Sequence, residues 1–309
     1  MTLFSRRQAI LAGAALPFAS ALPLPLAAQE TMLGSGFSPW NRFKLGSFEV
    51  TTLLVGSQPV PDPQTIFGLN ASAEDFATLS AANFIPTEVA QFFFIPTVVN
   101  TGAEIVLFDT GLAPEGTLAA LTAAGLSADM VDVVVLTHMH PDHIGGVMGA
   151  DGVSPTFVNA RYVTGSIEHN HWSGQANEGF DKSVKPLNDK ITFLDDGGSV
   201  VSGVTAMAAF GHTPGHMIYH LESGGQRLAI TADTANHYVW SLQKPDWEVK
   251  YDADKAAAAA TRKSVFGMIA ADRIPFIGYH MPFPGIGYVE AAGEGFRYVP
   301  ASYQMMLNG

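Results

Sequence analysis

The sequence predicts an α/β protein in which two β-sheets pack face to face with helices outside. Short runs rich in β-branched and aromatic residues dominate the 309 residues, helical stretches interrupt them, and polar residues repeatedly stand where those runs end. With 47% hydrophobic residues the chain can fill a large core. From about Phe37 onward no linker and no charge block divides it, so residues 37–309 are read as a single domain.

Each element follows from local pattern. "SFEVTTLLVG" and "QFFFIPTVVNTGAEIVLFDTG" read as strands, with a turn at Thr101 and Gly102. The period then changes: Pro114 suits a first helical turn, "EGTLAALTAAG" follows, and Gly125 can close the helix in a left-handed conformation. "VDVVVLTH" is a continuous apolar run, as expected of a strand covered on both faces. "TFVNARYVTG", "ITFLDD", "VTAMAAF", "MIYHLES" and "QRLAITAD" are further strands between glycine-rich turns. A helix capped near Asp252 or Asp254 carries "KAAAAATRKSVFGMIAAD" and stops before Pro275, and one more strand, "IPFIGYH", ends on His280.

The first residues are of a different kind. Arg6 and Arg7 precede an apolar stretch and then small residues, an order that resembles a twin-arginine secretion signal over residues 1–28. The alternative is a membrane anchor, because Ala9 to Ala28 is nearly uncharged; Pro17, Pro23 and Pro25 and the abundance of alanine favour a cleaved signal, ending at Ala21 or Ala28. The expected location is the periplasm, with no stable membrane insertion of the mature protein. Loss of the segment removes two arginines and no acid, taking the net charge from −12 to −14. With no basic stripe, nucleic acid is not expected as a partner. Cysteine is absent, so any metal must be held by histidines and carboxylates.

"LTHMHPDHIGG" supplies them. His138 and His140 alternate to one side of an extended segment, and Pro141 turns the chain so that Asp142 and His143 point elsewhere. Two pairs aimed in two directions suit two metals better than one. A structural zinc site closes itself with four ligands, whereas a catalytic site keeps a position for water. Three more candidates stand at strand ends, His216 in "GHTPGH", Asp233 in "ITADT" and His280 in "GYH", and seven ligands are too many for a structural clasp. His212 is assigned a structural role, His220 a packing role in mid-strand, and His169 and His171 a place in solvent beside Trp172.

HxHxDH with these later residues resembles the metallo-β-lactamase superfamily of metallohydrolases. "THMHPDHIGG", "GHTPGH" and "FPGIGYVEAAGEGFRYVP" are similar to methyl parathion hydrolases and related lactonases and aryl esterases, over roughly Phe48 to Tyr303. The resemblance implies an αββα sandwich and a binuclear site of two divalent ions, with zinc foremost and Mn, Fe or Co as alternatives. It implies that His138, His140 and His216 bind one metal, that Asp142, His143 and His280 bind the other, and that Asp233 bridges them. Asp109 in "LFDTG" would brace the metal loop without binding metal. A homodimer is what the same resemblance implies.

Two ions about 3.5 to 4 Å apart share a bridging water and lower its pKa toward about 7, which makes hydroxide the nucleophile. Asp142 or Asp233 would guide the proton. With no separate general acid evident, the expected substrates have good leaving groups: lactones, aryl esters or activated phosphotriesters. Many acyl-homoserine lactonases carry a tyrosine three residues after the bridging aspartate, where this chain has Asn236. Trp172 and Phe180 are expected to line the substrate pocket, with Asn236 in it and His237 at its rim, whereas Phe92, Phe93 and Phe94 are assigned to the core. The alternatives are a β-lactamase or thioester hydrolase of the same superfamily, and a periplasmic metal-binding protein without turnover.

Overall fold

Burial decides which segments become sheet. The computed structural model describes Gly36 and residues 38–307; the expected signal at residues 1–28 lies outside the described residues. The described chain opens with a hairpin of β1 (Trp40–Leu45) and β2 (Phe48–Leu53). A two-stranded ribbon follows, β3 (Gly56–Pro61) with β4 (Val89–Phe94), and its long connection carries α1 (Ala73–Ala82), whose cap Ser72 accepts the Asp75 N–H at 3.0 Å. β5 (Thr97–Asn100) and β6 (Ile105–Phe108) form the next hairpin. Then come α2 (Pro114–Ala123), with Gly125 beyond it at φ +76°, and β7 (Val133–Leu136).

α3 (Pro141–Ile144), β8 (Arg161–Gly165), α4 (Ser166–Ser173), α5 (Glu178–Ser183) and β9 (Ile191–Leu194) complete the first half. The second half holds β10 (Ser199–Val201), β11 (Val204–Ala208), β12 (Met217–Ser223), β13 (Gln226–Ala232), α6 (Trp240–Gln243), α7 (Lys255–Asp272), β14 (Phe276–Gly278), β15 (Ile286–Ala292) and β16 (Gly295–Pro300). Asp254, rather than Asp252, caps α7 by accepting the Ala257 N–H at 2.9 Å.

The strands form two seven-stranded sheets, ordered β1-β2-β5-β6-β7-β8-β9 and β10-β11-β12-β13-β14-β15-β16. Val99, Phe108, Val133 and Val135 of the first meet Tyr219, Leu221, Leu228 and Ile230 of the second in the central core. Alternation sends Val134 and Leu136 to the outer face, against Leu121 of α2, while Phe266 and Ile269 of α7 cover the second sheet. This double burial explains the unbroken apolar run of β7. The architecture is the expected αββα sandwich. Among the described residues, no helix is long and apolar enough to cross a membrane.

Two local expectations are corrected. Only Arg161–Gly165 of "TFVNARYVTG" is strand. The segment around His169 and His171, placed in solvent from sequence, is helix α4, with Glu168 and His169 buried despite a polar sequence.

Candidate metal centre

The functional side chains gather beyond the carboxyl ends of strands, β6 running parallel to β7 in the first sheet and β13 parallel to β14 in the second. Asp109 follows β6, His138 to His143 follow β7, His212 lies between β11 and β12, Asp233 follows β13, and His280 follows β14. Two groups of donor atoms result, each with all its atoms within 4.8 Å of one another: His138, His140, His212 and Asp233, and Asp142, His143 and His280. In the first, His140 Nδ1 lies 3.1 Å from His138 Nε2 and 2.9 Å from His212 Nε2. In the second, Asp142 Oδ2 lies 3.5 Å from His143 Nε2 and 3.3 Å from His280 Nε2. Asp233 touches both, with Oδ2 3.3 Å from His212 Nε2 and 3.2 Å from His280 Nε2, and Oδ1 3.3 Å from His143 Nε2.

This corrects the sequence assignment of His216. Its Nδ1 donates to the Ala209 carbonyl oxygen at 3.1 Å and its Nε2 accepts the Asp233 N–H at 3.1 Å, so backbone groups occupy both nitrogens. His212, assigned a structural role from sequence, stands in the cluster instead. "GHTPGH" offers two histidines four apart, and nothing in the motif alone says which imidazole the turn directs inward.

Supporting residues fix each donor. Asp109, at φ +61°, accepts the Thr137 N–H with Oδ1 and the His143 Nδ1–H at 2.8 Å with Oδ2, leaving His143 Nε2 to face the cluster. Asp252 accepts the His212 Nδ1–H and an Arg262 N–H, both at 2.9 Å, and aims His212 in the same way. The Tyr279 hydroxyl donates to the Asp142 carbonyl oxygen. Glu168, wholly buried on α4, accepts N–H and O–H groups from both the 138–140 and 212–216 loops. Glu168 and Asp252 were missed in sequence, where one lay among distracting histidines and the other read as a helix cap.

The donor set fits divalent cations. His143 Nε2 and Asp233 Oδ1 are buried, adjacent and without hydrogen-bond partners, as coordinating atoms facing one ion would be. Burial keeps imidazole lone pairs available, pushing His138 well down and His140 to about 4. Burial also opposes charge on His143 and His280, but Asp233 and its neighbouring carboxylates overcome it, raising His143 well up and His280 to about 10. For His212, hydrogen bonds to Asp233 and Asp252 outweigh burial and raise it to about 8. The negative field of these carboxylates is what a bound cation would answer.

Beside the cluster opens a cavity of about 350 Å3. Asn236 lines it and donates Nδ2–H to Asp233 Oδ2 at 2.9 Å. Phe92 and Phe94 line it too, as do Leu112 and Tyr251, so two aromatics assigned to the core serve core and cavity together. Trp172 stands edge-on to His140 with centroids 6.0 Å apart, its Nε1–H given to Glu168. Phe180 is no pocket residue: it is fully buried in the cluster outside the first sheet, edge-on to His169. His169, expected in solvent, is buried with Nε2 3.0 Å from Asn188 Oδ1. His220 sits half-buried in mid-strand on β12. His237 lies on the other side of His280, in a different cavity.

Fold and donor set together define a metal-dependent hydrolase. The chain belongs to the metallo-beta-lactamase superfamily, whose family model matches residues 96–271. Among solved structures it is similar to AidC, a dizinc quorum-quenching lactonase in complex with a product, with a TM-score of 0.78 and 26% identity, covering 86% of this chain and 98% of that one. The fold of hydrolase AbOPH is likewise similar, with a TM-score of 0.79 at 24% identity over 87% of this chain and 99% of that one. Among curated proteins, an atrochrysone carboxyl ACP thioesterase of Aspergillus fumigatus is 35% identical over 126 residues, 40% of this chain and 24% of the thioesterase. Its counterpart in Passalora fulva is 30% identical over 140 residues, 44% and 36%. The match thus spans little more than a third of these relatives at most.

Proposed function

We propose that this chain hydrolyses neutral lactones or aryl esters, and phosphotriesters as a further class, at two divalent cations, zinc foremost. The observation that carries the reading is the cavity beside the cluster: Val60, Phe92, Phe94 and Leu112 present an apolar wall to Asp142, Asp233 and His280, and no lysine or arginine lines it among the described residues. An anionic substrate such as a β-lactam carboxylate would need a counter-charge that no lysine or arginine of the wall supplies, leaving only the ions to pair with it. A neutral ester would not.

Bound cations supply Lewis acidity and a water acidified toward about pKa 7. The chain's own residues divide the remaining work. His138, His140 and His212 would hold one cation and Asp142, His143 and His280 the other, with Asp233 in reach of both groups. Asp233 Oδ2 is hemmed in by His212, His280 and Asn236, which commits it to anchoring. The Asp142 side chain is 19% exposed and lines the cavity, so it is the carboxylate placed to carry a proton toward a leaving alcohol. The Asn236 and Gln58 amides and the Tyr251 hydroxyl are the uncharged polar groups available there to orient a substrate carbonyl. The twin-arginine-like leader supports export to the periplasm.

The curated thioesterase relatives favour a second reading, thioester hydrolysis, for which the same centre would serve. A screen of metal-loaded protein against γ-lactones, aryl esters, phosphotriesters, acyl thioesters and β-lactams separates the two. Lactones or aryl esters are expected to give the highest kcat/KM and β-lactams none. A thioester preference would transfer the assignment to the second reading, and no turnover of any class would overturn both.

A further inference from the structure

Across His280 from the catalytic cavity lies a second cavity, of about 300 Å3. Strand β4 divides them: Phe92 and Phe94 face the catalytic side and Phe93 the other, as strand alternation requires. His280 forms part of both walls and donates its Nδ1–H to the Phe93 carbonyl oxygen at 2.8 Å. Ile85, Val89, Trp240 and Pro282 give the second cavity an apolar lining of its own.

Gln91, Tyr238, His280 and His237 are the polar side chains in that lining. His237 is only 7% exposed, and its ring stacks on Trp240 with centroids 3.9 Å apart. Its Nδ1 accepts the N–H groups of Val239 and Trp240, each at 3.2 Å, which puts the ring hydrogen on Nε2. Among the described residues that Nε2–H meets no acceptor, although the side chain lines the cavity. A donor facing such a cavity is available to an acceptor that enters it. Burial pushes the imidazole down to about 3, so it stays neutral at working pH. Among the described residues no lysine, arginine or carboxylate lines the cavity, and the His280 imidazole there is already engaged by the Phe93 carbonyl and the metal-centre carboxylates, which disfavours a charged occupant.

We infer that this cavity is a second binding site, separate from the catalytic one, for a small neutral molecule with an aromatic or branched-alkyl body and a carbonyl oxygen that accepts from His237 Nε2. The volume sits at the lower end of small-molecule sites, which suits a single ring with a short substituent. Because the Phe93 carbonyl also holds His280, an occupant packs directly against the strand that positions a metal-centre histidine.

The test uses metal-loaded protein and 4′-bromoacetophenone. In crystals soaked with it, the bromine's anomalous peak is expected in the Phe93–Trp240 cavity, with the ketone oxygen toward His237. Calorimetry is expected to give saturable binding that weakens about tenfold in His237→Phe, the loss of one buried hydrogen bond. Val89 is 40% exposed at the rim, so Val89→Trp can fill the entrance without disturbing the fold, and it is expected to abolish binding while leaving ester hydrolysis unchanged. The anion 4′-bromobenzoate is expected not to bind. Bromine found only in the catalytic cavity, equal binding of the benzoate, or unaltered affinity in Val89→Trp would each overturn the proposal.

Discussion

Glu168 Oε1 accepts the Met139 N–H at 2.9 Å, while its Oε2 accepts the Thr213 hydroxyl at 2.7 Å and the Gly215 N–H at 2.9 Å. A single buried carboxylate on α4 therefore ties the loop of His138 and His140 to the loop of His212. Gly215 permits the approach, because a Cβ there would lie 2.1 Å from the Glu168 nitrogen. Glu168→Gln puts an NH2 against donors that now meet an oxygen. The expected cost is about 2 to 3 kcal/mol in urea unfolding, with metal affinity lowered roughly 10- to 100-fold. Parent-like values of both would show that the tie is dispensable.

His212 and His216 are expected to exchange the roles the motif suggests. His212→Ala removes a cluster donor, so the purified protein should hold at most one ion and lose at least about a hundredfold in activity. His216→Gln keeps a side chain able to donate to Ala209 and accept from Asp233, so two ions should remain, with stability lowered by about 1 to 2 kcal/mol. Metal content by mass spectrometry decides. Two ions in His212→Ala and one in His216→Gln would restore the sequence assignment.

That exchange marks where sequence stopped being informative. HxHxDH could be read because its spacing alone directs side chains, and Asp233 and His280 because each follows a short apolar strand. The sandwich was legible for the same reason: the runs "VVVL" and "IVLF" have only one comfortable setting, between two covered faces. In "GHTPGH", by contrast, the choice of imidazole depends on Asp252, 40 residues away, which grips His212. Phe180 and Phe92 were interchanged for a similar reason. An aromatic in a polar segment looked like a pocket residue and one in a strand looked like core, but tertiary packing buried the first and opened the second to the cavity.

His237 gives stability a defined pH dependence. Burial lowers its folded-state pKa to about 3, whereas an unfolded histidine titrates near 6.5. Between those values the unfolded chain binds the proton and the folded chain does not, so stability falls as pH drops below about 6.5. The slope from this one group approaches about 1.4 kcal/mol per pH unit. His237→Gln retains an acceptor for Val239 and Trp240 but cannot titrate, so the stability gap between parent and variant should shrink steadily from pH 6.5 to 4.5 in urea unfolding. A constant gap would mean that the imidazole is not held neutral.

Metal loading is expected to release protons. In the cation-free protein the carboxylates, acting against burial, raise His143 well above its ordinary value, His212 to about 8 and His280 to about 10, so all three imidazoles are protonated at pH 7. Coordination requires their lone pairs, and the protons must leave. Burial works in the other direction on His138 and His140, which are already neutral and contribute none. Titrating zinc into chelator-stripped protein in buffers of different ionisation enthalpy should therefore register between about two and three protons released per centre filled. Affinity should fall as pH is lowered from 8 to 6, because each imidazole must be deprotonated against a rising proton concentration. Release of less than one proton would mean that the carboxylates do not hold these imidazoles charged before the ions arrive.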